Sequence, residues 1–337
     1  INKNIYVMVA RECKDYYFVY ADYEGENKGL EFSDGTSYGF VKKSAIKDYR
    51  TITYNANGGW GAPAVQKTLI RNDNSDSCML SAVLPNRKGY AFTGWATRPD
   101  YTSGVIYRAE ADIGFGTSDI TYYAIWKKSR VSFPLDTYSF ENQGYKMTVE
   151  QFKRMYGKTQ GERLYELKTE IDKKTGKVTY PGEGGLCYGF SETIGGLATN
   201  GLSESQLNTT YMKSLGWNSK FSFGGFSSVS IKEYIQYGWA YQFSASASYY
   251  TTDVYNKRVG IHNYDALVNA VKEYEDNNGD PVNICMYGHF YNSEEISGHS
   301  VYAMYIAEDN IYATVIAIYD SNYPKQIKYL YLFKKNG

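Results

Sequence analysis

Hydrophobic and polar positions change rhythm twice along the chain. Over residues 1–48, apolar residues come in short runs, Ile5-Tyr6-Val7-Met8-Val9, Tyr16-Tyr17-Phe18-Val19-Tyr20 and Tyr38-Gly39-Phe40-Val41, separated by Gly, Asp and Asn. Strand-length runs rich in β-formers and bounded by turn residues predict a small all-β module. A further alternating run, Thr51-Ile52-Thr53-Tyr54-Asn55, leads into Asn57-Gly58-Gly59, a turn whose residues tolerate positive φ. It opens a second β module over residues 49–129, closed by Lys127-Lys128-Ser129-Arg130 and then Pro134, a polar boundary.

Residues 130–337 mix helical and strand periods. Thr148 with Gln151 forms a capping-box signature that opens a helix over Val149–Tyr156, and Gly157 stops it. A helix runs from Cys187 through Ser191–Leu197 and ends at Asn200-Gly201. Ser230 caps Ile231–Phe243, and Asn263 caps Tyr264–Glu275, where Ala266, Leu267, Ala270 and Val271 share one apolar face. Strands are predicted at Val282–Met286, Ser300–Ile306, Tyr312–Ile318 and Ile327–Phe333. The fold class expected is therefore multidomain: N-terminal all-β modules followed by an α+β domain.

Composition narrows the function. The chain of 337 residues carries 36 basic and 36 acidic side chains, well mixed, so no electrostatic footprint for nucleic acid or an anionic membrane is present. No apolar run approaches the roughly 18 residues that a membrane-spanning helix needs. Tyrosine is heavily used, 37 residues against 15 Phe and 5 Trp, which suits half-buried strands whose ring edges stay wet and points to an extracellular, β-rich protein. The first residue, Ile1, fits a piece cut from a longer exported chain. Cys13, Cys78, Cys187 and Cys285 lie far apart without a C-x-x-C pair, which predicts free thiols rather than a disulfide framework or zinc site. No metal or other cofactor is expected.

Two resemblances refine the β modules. The ending Tyr38–Ile46 resembles the last strand of bacterial SH3-like wall modules, over fewer than ten residues. In the second module, Thr51–Gly59, then Lys88-Gly89-Tyr90-Ala91-Phe92-Thr93-Gly94-Trp95-Ala96-Thr97, then Thr121-Tyr122-Tyr123-Ala124-Ile125-Trp126, look like one internalin-type B repeat, the Listeria–Bacteroides repeat. The resemblance covers roughly residues 50–128 and implies a β-grasp-like domain of a bacterial surface protein. Packing explains Tyr90, Phe92 and Trp95 without a ligand, so a spacing or adhesive role toward cell wall or host surface is expected.

The chemistry lies downstream. Cys187 sits in Gly184-Gly185-Leu186-Cys187-Tyr188-Gly189, at the start of a predicted helix, where unsatisfied amides and the macrodipole favour a thiolate. Glycines before it let the backbone turn sharply, and its own amide can face a developing oxyanion. The chain has three histidines. His262 precedes a helix cap, and His289 follows the Cys285 strand and stands second as a base. His299, opening the strand Ser300–Ile306, can project from the sheet rim and is the favoured general base. Asp320 and Asn322 both follow the next apolar strand, and either side chain could orient the imidazole; turn chemistry with Pro324 explains the same residues without catalysis.

Gly298-His299-Ser300-Val301 followed by Tyr319-Asp320-Ser321-Asn322-Tyr323-Pro324 looks like the C-terminal half of papain-like peptidases, in particular the bacterial C39-like group. Over roughly residues 135–335 this resemblance implies Cys187 as nucleophile, His299 as base, Asp320 as the orienting residue and a protein or peptide substrate. The family also places a Gln just upstream of the Cys in the oxyanion hole, and here the chain reads Tyr180-Pro181-Gly182-Glu183 instead. Gln143 and Gln160 are the nearest upstream amides. The long Cys187-to-His299 interval favours a peptidase over compact cell-wall amidases, while a transglutaminase-like amidase or a catalytically dead adhesin are the alternatives. Phe221–Phe226 and Tyr249–Tyr255 are candidates for cleft loops, with packing as the simpler role.

Overall fold

The computed structural model describes residues 7–21, 38–43, 49–69, 78–114, 118–200, 212–223, 226–244, 264–289 and 296–334. The chain clusters into two compact units, one made of residues 1–85 and 93–125, the other of residues 86–92 and 126–337. N-terminal β-sheets are thus followed by a mixed α/β region.

In the first unit, β1 (Val7–Glu12), β2 (Tyr16–Ala21) and β3 (Tyr38–Lys42) form an antiparallel meander. Alternation puts Tyr17 and Val19 inside, while on the other face the Phe18 ring meets those of Tyr38 and Phe40 at 5.9 and 5.1 Å. Ile5, Tyr6 and residues 44–48 lie outside the described residues. The second sheet has the order β5-β4-β7-β6, with β4 (Tyr49–Asn55), β5 (Gln66–Leu69), β6 (Tyr90–Ala96) and β7 (Ile120–Lys128). β4 pairs with β7 in parallel, Ile52 opposite Ile120 through Asn55 opposite Tyr123. Fully buried Trp95 packs edge-on against Tyr54 at 5.0 Å. Gly94 has φ +147°, and a Cβ there would lie 2.7 Å from the Tyr107 carbonyl oxygen, so only glycine lets Trp95 pair with Tyr107. Asn57 (φ 46°) and Gly58 (φ 86°) make the expected positive-φ turn, and Asn57 Nδ2 ties it to the Ala124 carbonyl at 3.0 Å.

The second unit is built on an antiparallel sheet of β12 (Asn283–His289), β13 (Ile296–Asp309), β14 (Ala313–Tyr319) and β15 (Ile327–Phe333). Between the two sheets along the chain come two short hairpins, β8 (Glu170–Ile171) with β9 (Val178–Thr179) and β10 (Lys220–Phe223) with β11 (Phe226–Ser230). The helices are α1 (Val149–Tyr156), α2 (Lys158–Leu167), α3 (Cys187–Asn200), α4 (Ile231–Tyr241) and α5 (Tyr264–Glu275). α5 lays Val271 against Ile284, Val301, Ala303, Ile316 and Ile318 of the sheet, with Leu267 packed beside them. Each such aliphatic side chain contributes about 1.5–3 kcal/mol on burial. Two of the three predicted N-caps form complete capping boxes, Thr148 with Gln151 and Ser230 with Glu233, and the third, Asn263, lies outside the described residues.

α3 rests on β13 and crosses α4 closely. A Cβ on Gly189 would stand 2.1 Å from the Ile235 carbonyl oxygen, and one on Gly238 would stand 2.8 Å from Thr193 Cγ2, so paired glycines set the spacing of the two helices. β13 starts earlier than its apolar pattern suggests. Gly298 and His299 pair with Tyr287 and Met286, so backbone pairing with β12 carries the strand back to Ile296 and His299 sits inside it rather than at its first position.

Candidate functional site

Cys187 opens α3 and is partly exposed. The turn into the helix depends on Gly182 (φ 84°) and Gly185 (φ 127°); a Cβ on Gly182 would also strike the Tyr145 carbonyl oxygen at 2.4 Å. Gly184 carries neither constraint, with open space where its Cβ would be. The first α-helical bond runs from the Phe190 amide to the Leu186 carbonyl at 3.0 Å, so Cys187 occupies the first turn, where helix amides have no intrahelical acceptor.

The imidazole and carboxylate come from β13 and from the residue after β14. His299 Nε2 and Asp320 Oδ1 are 2.9 Å apart, with side-chain exposures of 17% and 12%, low enough to strengthen their interaction yet open to a solute. Asp320 Oδ1 also accepts the Asn322 amide at 2.9 Å, which fixes the carboxylate in the turn. Cys187 is the other side chain that interacts with the imidazole. Burial by itself pushes the imidazole down. The Asp320 and Cys187 hydrogen bonds and charges outweigh burial and raise His299 from 6.5 to about 10.

Three residues named by the sequence are therefore brought together, Cys187, His299 and Asp320. Asn322 does not reach the ring; its side-chain oxygen accepts from Asn142 Nδ2 at 3.1 Å. His289 ends β12, and His262 and Tyr249–Tyr255 lie outside the described residues. Within Phe221–Phe226, residues 221–223 and 226 lie on the paired strands β10 and β11, and residues 224–225 lie outside the described residues. Cys285, on β12, is pushed up by burial, with the Ser300 hydroxyl 3.8 Å away opposing it in part. Gln160 is exposed on α2, and the exposed Gln143 accepts the Tyr145 hydroxyl at 3.1 Å. The segment holding Gln143 does run beside the loop before Cys187, since the Tyr145 and Met147 amides donate to the Gly182 and Pro181 carbonyls at 2.9 and 2.8 Å.

Sequence reasoning missed Asn142. Its Oδ1 accepts the Leu186 amide at 2.8 Å across a separation of 44 residues, and no periodicity or turn signature marks such a long-range contact. Among the described residues no cluster of His, Cys, Asp and Glu could hold a metal ion, and no helix is long and apolar enough to cross a membrane.

Residues 51–125 match the Listeria-Bacteroides repeat domain. The chain thus carries one such repeat, typical of bacterial surface proteins. No curated protein and no solved structure matches the chain.

Proposed function

We propose that residues 130–337 form a papain-like cysteine peptidase domain of an exported bacterial surface protein. The observation that carries the reading is an imidazole held by Asp320 at 2.9 Å on one side and by a helix-start thiol on the other. In this reading the Cys187 thiolate attacks a peptide carbonyl carbon, forming the C–S bond and moving the carbonyl electron pair onto oxygen, where the Cys187 amide stabilises it. Collapse expels the amine, which takes its proton from the His299 imidazolium and leaves a thioester. His299 then removes a proton from water, which attacks the thioester and frees the carboxylate and the thiolate. Asp320 keeps the ring oriented throughout. The repeat fits a spacing or adhesive role beside this domain.

Alkylation tests the reading. Iodoacetamide or a thiol-directed epoxide should modify Cys187 at neutral pH far faster than the partly exposed Cys13, and His299→Ala should remove that advantage. Equal rates at Cys187 and Cys13 would favour an adhesin with an inert thiol instead. Cys187→Ala should abolish hydrolysis of a casein or mixed-peptide substrate, whereas Cys285→Ala should retain it.

A further inference from the structure

We infer that Asn142 is a positioning residue that clasps the loop before the thiol to the loop after the orienting carboxylate. The inference rests on the thiol-hydrolase reading above and deepens it. Asn142 Oδ1 accepts the Leu186 amide, the residue before Cys187, at 2.8 Å. Its Nδ2 donates to Asn322 Oδ1 at 3.1 Å, and its backbone amide donates to the Ser321 carbonyl at 2.8 Å. The Asn322 amide in turn donates to Asp320 Oδ1, Asp320 holds His299, and His299 meets Cys187. Hydrogen bonds and one peptide link thus close a circuit from Cys187 through Leu186, Asn142, Asn322, Asp320 and His299 back to the sulfur.

The residue type is specified by this geometry. The Leu186 amide can only donate, so an oxygen must face it, and the same short side chain must then offer a donor to Asn322. Alanine supplies neither group. Gly185 makes room: a Cβ there would sit 3.2 Å from Asn142 Nδ2. Nucleophile and base come from elements far apart in sequence, and a displacement of an ångström between them would be expensive for catalysis. Asn142 touches neither substrate nor reacting atoms in this account; it sets the distance between the parts that do.

The test uses the full chain with Asn142→Ala, Asn322→Ala and the double variant. Three quantities are read: the pH profile of Cys187 alkylation by iodoacetamide, hydrogen exchange at the Leu186 amide, and thermal melting. Asn142→Ala should slow Cys187 alkylation at neutral pH by ~10- to 100-fold, the scale expected for a small misplacement. It should also move the acid limb of the profile toward that of Cys13 and unprotect Leu186. Asn322→Ala, confined to a surface turn, should produce a smaller change of the same kind, and the double variant should be no slower than Asn142→Ala alone. A lower melting temperature with an unchanged pH profile would reduce Asn142 to a structural residue, and strictly additive effects would break the link through Asn322. If Asn142→Ala does not fold, Asn322→Ala decides, because an unaltered profile there overturns the clasp. Fast wild-type alkylation left intact by these variants defeats the clasp alone. A wild-type Cys187 no faster than Cys13 defeats the hydrolase reading, and the catalytic role of the clasp with it.

Discussion

At the scale of single residues, His299 makes the sharpest prediction. Its proton is held up to about 10 rather than 6.5, so the pH profile of hydrolysis should rise as the thiol ionises and fall only as pH approaches about 10, where the imidazolium that protonates the leaving amine is lost. A fall near neutral pH would mean the imidazole is not paired. The sign for stability follows from the same shift. A raised folded value makes the contribution of His299 complete below the ordinary value of 6.5, and it is lost as pH climbs toward about 10, so melting temperature should drop across that window more in wild type than in His299→Ala. Asp320→Ala should lower kcat by roughly 10²-fold or more, and Asn322→Ala by clearly less, because Asp320 touches the ring and Asn322 does not. The identity of these side chains was legible from the chain, since a Gly-rich helix start, a Gly-His strand and an Asp after a strand are local patterns. Asn142 was not, because its partners Leu186 and Asn322 lie 44 and 180 residues away and nothing local encodes that meeting.

At the scale of elements, α3 is placed by absent side chains. Gly189→Ala would drive a methyl into the Ile235 carbonyl and should destabilise the protein by about 1–3 kcal/mol, as overpacking does. Gly184→Ala should be near neutral, since its space is open and its φ is not positive. Thermal melting of the two variants separates them, and equal losses would contradict the crossing geometry. Helices with side-chain caps could be read in advance, and α1 and α4 begin at their capping residues. α2 could not: Gly157 ends α1 and also begins α2, and Gly161 within it looks like a breaker but packs where a Cβ would lie 2.5 Å from the Lys153 amide nitrogen. Close helix–helix approach overrode propensity there.

At the scale of the molecule, residues 86–92 cluster with the second unit although they are far from it in the chain. Gly89 donates to Ser132 Oγ at 2.9 Å, and Phe92 and Phe133 exchange bonds with Phe133 and Tyr90 at 3.1 and 3.2 Å. A cut at residue 130 severs all of these. A fragment of residues 86–337 should therefore melt several degrees above one of residues 130–337, at about 2–4 °C per kcal/mol for domains of this size. Equal melting temperatures would show that the segment adds nothing. The resemblance of three motifs pointed to the repeat and composition to the polar stretch after it, but neither marked this return of an earlier segment, because backbone pairing across residues 89–133 leaves no compositional trace.

The parallel pairing of β4 with β7 has a mechanical consequence. These are the first and last strands of the matched repeat, so tension applied along the chain pulls them in opposite directions along their shared ladder, Ile52–Asn55 against Ile120–Tyr123. All of those bonds are loaded in shear and must fail together, whereas antiparallel neighbours pulled from one end open bond by bond like a zip. In single-molecule stretching the repeat should yield at a higher force than the β1–β2–β3 meander, with the difference governed by its unfolding rate rather than its equilibrium stability. Such a module would act as a load-bearing link that itself stays folded at tensions that open the meander.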